Sequence, residues 1–144
     1  MANLSSTSSI GINAPAAKVW QALTDPKIVK QYFFGTNVKS DWKKGGTITW
    51  EGEWDGKTYK DTGEILDIDP GKMLKYNYWS SMSGTENIPE NYVDITYVLS
   101  EKDGKTTLTI IQERIKSEEA KKHSEENWIY IFGKMKEMVE SNQI

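Results

Sequence analysis

The residues that could do chemistry are few. There is no cysteine among the 144 residues, which rules out a disulfide framework, a thiolate nucleophile and sulfur-ligated zinc or iron. His123 is the one histidine, and it stands among Lys121, Lys122, Glu125 and Glu126. Without a second imidazole it forms no metal triad, and that company suits a solvated helix residue better than a general base. Asp61, Glu64, Asp67 and Asp69 are the nearest thing to a carboxylate cluster for magnesium or calcium; they read instead as the solvent side and end of a strand. Glu51 and Glu53 alternate with Trp50, Gly52 and Trp54, which makes them an outer polar face. Turned inward, they would be a carboxylate pair with raised pKa. Lys44, Gly45 and Gly46 run into a strand, so this turn lacks the helix terminus that would hold a phosphate. Arg114 reads as a strand-end surface residue; aimed into a groove, it would grip a ligand carboxylate. The expectation is a protein with no catalytic residue, no metal and no cofactor, and so not an enzyme.

What remains is aromatic. Six Trp and seven Tyr against three Phe is a choice of rings with a polar handle, suited to concave, half-wet surfaces. Phe33, Trp50, Tyr76, Tyr78, Tyr97, Trp128, Phe132 and Met135 are the candidate ligand-binding set. They either line a site for a hydrophobic or amphipathic guest or fill the space themselves as core. A one-residue slip would exchange Tyr76 and Tyr78 for Lys75, Asn77 and Trp79.

The elements that must position these rings follow from period. Ser5 to Ile12 reads as an opening strand. Ala16, Val19, Trp20 and Leu23 then recur at helical spacing after Pro15. Asp25 caps a second short helix with Pro26 at its first position, because its oxygen accepts an orphan amide and proline has none to orphan. Ile28, Val29, Tyr32 and Phe33 face inward. Thr47 to Trp54 is a strand, Asp55 and Gly56 a tight hairpin, and Lys57 to Asp69 a long strand with Gly63 at a bulge or bend. Met73 to Trp79, Tyr92 to Ser100 and Thr106 to Arg114 complete an antiparallel meander, and Ser80 to Asn91 is a long loop, an entrance to the cavity. Ser117 caps a last helix with an apolar stripe of Trp128, Ile131, Phe132, Met135, Met138 and Val139.

A chain of 144 residues with formal charge -3 is read as one domain, 1–144, with no basic face for nucleic acid. No segment has the apolar length of a membrane span and the start lacks a secretory pattern, so the expected address is the cytoplasm. A monomer or weak homodimer is expected.

Several pieces in order carry a resemblance. Val19 to Pro26 with Tyr32 and Phe33, the double-glycine turn Lys44 to Thr47, the hairpin at Asp55 and Gly56, Thr62 to Pro70, Thr106 to Ile110, and Asn127 with Trp128 resemble the heat-shock-protein-90 ATPase activator homologue family. One departure is Asn127, where the family usually has glycine. The resemblance implies an α+β, START-like (SRPBCC) helix-grip fold of the birch-pollen-allergen type: a curved antiparallel sheet wrapped around a long C-terminal helix, with two short helices after the first strand. It implies a non-enzymatic small-molecule binding domain; the alternatives are a stress-related co-chaperone-like module with a chaperone or other protein partner, or an aromatase/cyclase-type enzyme.

Overall fold

The computed structural model describes residues 4–33, 35–54, 56–81 and 84–141. Asp55 of the expected hairpin, the side chain of Trp54 in the strand before it, and Met82 and Ser83 of the expected loop lie outside the described residues.

Seven strands form one curved antiparallel sheet: β1 (Leu4–Ile12), β2 (Asn37–Ser40), β3 (Thr47–Trp54), β4 (Lys57–Asp69), β5 (Met73–Tyr78), β6 (Val93–Lys102) and β7 (Lys105–Ile115). From β2 to β7 the sheet is a meander, and β1 closes the far edge beside β7. The helices α1 (Ala16–Thr24) and α2 (Pro26–Tyr32) carry the chain from one edge to the other. A turn of 3-10 helix, Pro89–Asn91, ends the long loop, and α3 (Glu118–Glu140) lies against the sheet.

Local chemistry sets the helix starts. The Asp25 carboxylate accepts from the Lys27 amide at 2.9 Å with proline at the first turn of α2, and the Ser117 hydroxyl accepts from the Ala120 amide at 3.0 Å. The apolar stripe of α3 is buried throughout, from Trp128 to Val139. On the other side of that helix Lys136 donates to the Gly11 carbonyl at 2.6 Å and to Glu140 at 2.7 Å, while Glu140 accepts from the Asn13 amide. These contacts pin the end of α3 to the end of β1 and the connection after it.

The four-residue strand β2 was not anticipated. Only Val38 of its residues is apolar and buried, and a lone apolar residue carries no period. The structure also settles the phase of β4. Asp61, Gly63 and Ile65 are all buried on one face, and a bulge between Ile65 and Asp67 switches the side that faces the core. Asp61 is therefore not on the solvent side, which corrects its reading as a surface acid; Glu64, Asp67 and Asp69 are exposed as expected. At Gly63 a Cβ would lie 1.9 Å from the Asn77 carbonyl oxygen, so glycine is what allows β4 to press against β5 there.

Candidate functional site

A cavity of about 490 Å³ opens between the first half of α3 and the sheet. Its floor is set by strand register. Tyr76 of β5 pairs with Ile95 of β6, and Ile95 with Gln112 of β7; one step along, Tyr78 pairs with Val93. On the other side, Trp50 of β3 pairs with Asp61 of β4. Residues two apart along a strand share a face, so these side chains all meet the cavity together with Tyr59. Ser124, Asn127, Trp128 and Ile131 of α3 form its roof, and Phe33 and Thr36 close the side beyond α2.

Five of the eight sequence-predicted residues line this space: Phe33, Trp50, Tyr76, Tyr78 and Trp128. Tyr97, Phe132 and Met135 do not. They are packed behind it at 6%, 1% and 0% exposure, as core. Phe132 stacks on Trp128 at 5.5 Å with a 10° interplanar angle, and Tyr97 meets Phe132 edge-on at 5.5 Å. The rings are otherwise continuous: Tyr78 contacts Trp50 at 5.0 Å, Trp50 contacts Tyr76 at 5.4 Å, and Tyr76 contacts Tyr97 at 5.5 Å.

Polar groups sit at both ends. At the helix end, Trp128 Nε1 donates to Gln112 Oε1 at 2.9 Å, which fixes the indole as a wall of the cavity. At the strand end, Asp61 accepts from the Tyr78 hydroxyl, from the Ser81 amide at 2.9 Å and from the Ser81 hydroxyl at 3.2 Å. Thr36 and Tyr59 share a hydroxyl–hydroxyl bond beside it. Gly52 stands opposite Tyr59, where a Cβ would be 2.5 Å from the phenolic oxygen, so the absent side chain makes the room that Tyr59 occupies. Between the ends, the Tyr76 and Tyr97 hydroxyls lie 2.6 Å apart. Burial pushes both phenols above the ordinary value of 10.0; for Tyr76 the neighbouring Tyr97 adds to it. Tyr78 is also raised, first by burial and then by Asp61. All three remain protonated donors at neutral pH.

The chemically suggestive residues elsewhere fall outside the cavity. Glu51 is on the outer face, 3.2 Å from Lys39 and 3.7 Å from Lys60. Arg114 is turned to the loop, donating to the Pro89 carbonyl at 2.7 Å and facing Asp94 at 3.8 Å. His123 is exposed on α3. The residues that sequence reasoning did not assign to the site are Thr36, Tyr59, Asp61, Val93, Ile95, Gln112, Ser124, Asn127 and Ile131. Asp61 had a signal: it is two and four residues before Gly63 and Ile65, on the parity of a buried apolar residue.

The family model described as activator of Hsp90 ATPase homolog 1-like protein matches residues 13–140. The chain belongs to that family. Among solved structures, the solution structure of ChR145 from Cytophaga hutchinsonii is 39% identical, with a TM-score of 0.86, over 99% of this chain and 98% of that one. The Aha1 dimer from Colwellia psychrerythraea is 18% identical with a TM-score of 0.74, over 95% and 96%. The allergen Ara h 8.0201 is 16% identical with a TM-score of 0.76, over 97% and 99%. The last likeness shows the helix-grip fold that the resemblance implied. The comparison with curated proteins found no match. Within this member of the activator homologue family, no helix of the described residues is long and apolar enough to cross a membrane.

Proposed function

We propose that this domain binds a small, mostly hydrophobic molecule in the space between its sheet and the first half of α3, and that it does so without transforming it. The observation that carries the reading is the cavity of about 490 Å³, walled by Trp50, Tyr76, Tyr78 and Trp128. Ligand sites are typically about 300 to 1,000 Å³, apolar over most of their surface, with a few polar groups that orient the guest. Here Gln112 and Asp61 supply those groups at opposite ends. The buried phenols are protonated at neutral pH even at their ordinary value, and burial moves them further from ionisation, so they suit orientation rather than proton abstraction.

Native mass spectrometry of gently purified protein, followed by a thermal-shift screen of lipids and aromatic metabolites, tests this. A compound at about 100 times its Kd stabilises the folded state by about 2.7 kcal/mol, which a melting curve resolves. A screen in which no compound co-purifies and none raises Tm would remove the proposal.

A further inference from the structure

Among the described residues the cavity contains one charged side chain, and none of them brings a positive charge to it. Asp61 is 6% exposed, yet the three groups that donate to it among the described residues, the Tyr78 hydroxyl and the amide and hydroxyl of Ser81, are neutral. None of the other described residues lining the space is a lysine, arginine or histidine. A carboxylate offers about four acceptor positions, and these bonds use three of them among the described residues. A buried charge costs free energy unless it is paired as well as hydrogen-bonded. Trp50 is the cross-strand partner of Asp61, and Tyr78 both donates to Asp61 and meets Trp50 edge-on. A carboxylate flanked by electron-rich rings, with no competing cation among the described lining residues, is the chemistry that holds an organic ammonium group.

Building on the proposed binding role, we infer that the cavity selects guests carrying a single positive charge: an aryl-alkyl or alkyl amine whose ammonium group lies at Asp61 and whose apolar body extends toward Trp128. Among the described residues no three His, Asp or Glu side chains converge, so a metal ion would find one carboxylate where it needs several ligands. A guest carboxylate would place a second negative charge in the same poorly solvated space. The selectivity should therefore run from cation to neutral to anion.

Three probes with one body and different heads test this: naphthylethylamine, naphthylethanol and naphthylpropanoate. Each is titrated into the full chain at neutral pH by calorimetry, with the indole NH signals of Trp50 and Trp128 followed by NMR. A charge-assisted hydrogen bond predicts that the amine binds about tenfold tighter than the alcohol or better, with the propanoate weakest. In Asp61→Asn the amine and alcohol should bind alike, and the alcohol should bind as it does to the unsubstituted protein. Alcohol or propanoate binding as tightly as the amine would overturn the charge selectivity and leave the binding role standing. No heat and no indole shift with any probe would likewise overturn the charge selectivity, while the binding role stands or falls with co-purification and the thermal-shift screen. If Asp61→Asn does not fold, the ranking of the three probes on the unsubstituted protein still decides the matter.

Discussion

The concave face of the sheet is filled in one region and left open in the next, and Trp50 and Tyr76 stand on the boundary. Under α1 and α2, where Leu23, Val29 and Tyr32 meet Ile48, Leu74 and Tyr97, the described residues leave a pocket of only about 20 Å³. Under the first half of α3 they leave about 490 Å³. The same ring types serve both regions, so composition does not separate core from cavity. The backbone does. Two short helices bring Val19, Ala22, Leu23, Ile28, Val29 and Tyr32 down to one part of the sheet. The other part faces a single helix whose inward residues begin with the small Ser124 and include apolar side chains only from Trp128 onward.

The comparison breaks most easily on the filled side. Phe132, 1% exposed, touches Tyr32, Tyr97 and Trp128. Phe132→Ala should cost about 3 to 5 kcal/mol, through lost burial and a cavity its neighbours cannot close, and should appear as a lower urea midpoint with an unchanged slope. Next in size is Gly63→Ala. A methyl group placed 1.9 Å from the Asn77 carbonyl must push β4 and β5 apart, and overpacking of this kind costs about 1 to 3 kcal/mol. Amide exchange should quicken around Thr62 and Trp79, the isolated bridge beside that contact. A loss in Gly63→Ala confined to global stability, with the bridge amides still protected, would argue against the close approach as its cause.

The filled side was also the legible side. Helical period placed Val19 and Leu23 inward, strand period placed Ile95, Tyr97 and Leu99, and both caps were recognisable because an Asp or Ser oxygen beside a helix start has one obvious use. The eight candidate residues share apolar or aromatic character and a place on elements around one space, and that rule cannot distinguish Trp128, which meets open space, from Phe132, one turn on, which is packed shut. That difference depends on how far α3 stands from the sheet, a property of the whole assembly. Asp61 was missed because an acidic residue in a strand is assigned outward by default; the bulge after Ile65 let the outward reading of Asp67 and Asp69 be extended back across a change of phase. Ser124, Gln112 and Asn127 carry no signal of their own.

The boundary itself can be probed with a smaller change. Tyr76→Phe removes one of two hydroxyls that bond each other in a buried setting and leaves Tyr97 to find another partner, for a loss of about 1 to 2 kcal/mol. The same pair fixes a pH response. Burial raises the phenols of Tyr32, Tyr76 and Tyr97 above 10.0, so above that pH the unfolded chain sheds protons that the folded protein retains. Stability contributed by these groups is complete below pH of about 10 and declines as pH rises toward their folded-state values. Tm measured through that range should fall, and in Tyr76→Phe it should fall less steeply. A decline identical in both proteins would mean that Tyr76 takes no part in it.

The smallest expected effect on stability is on the open side, and it sharpens the contrast most. Ser124 is half-buried and faces the cavity from α3. Ser124→Leu adds an apolar side chain to a helix position where leucine is the better helix former, and the space to receive it already exists, so the change in stability should stay within about 0.5 kcal/mol or be favourable. In a packed core the same increase in volume would cost about 1 to 3 kcal/mol. If the cavity is a site, the new side chain should occupy part of it, and the affinity for a guest that stabilises the unsubstituted protein should fall at least tenfold while Tm without guest holds. Chemical unfolding beside a ligand titration reads both quantities. A clear loss of stability would mean that the first half of α3 packs as tightly as the second, and the difference between the two regions would disappear.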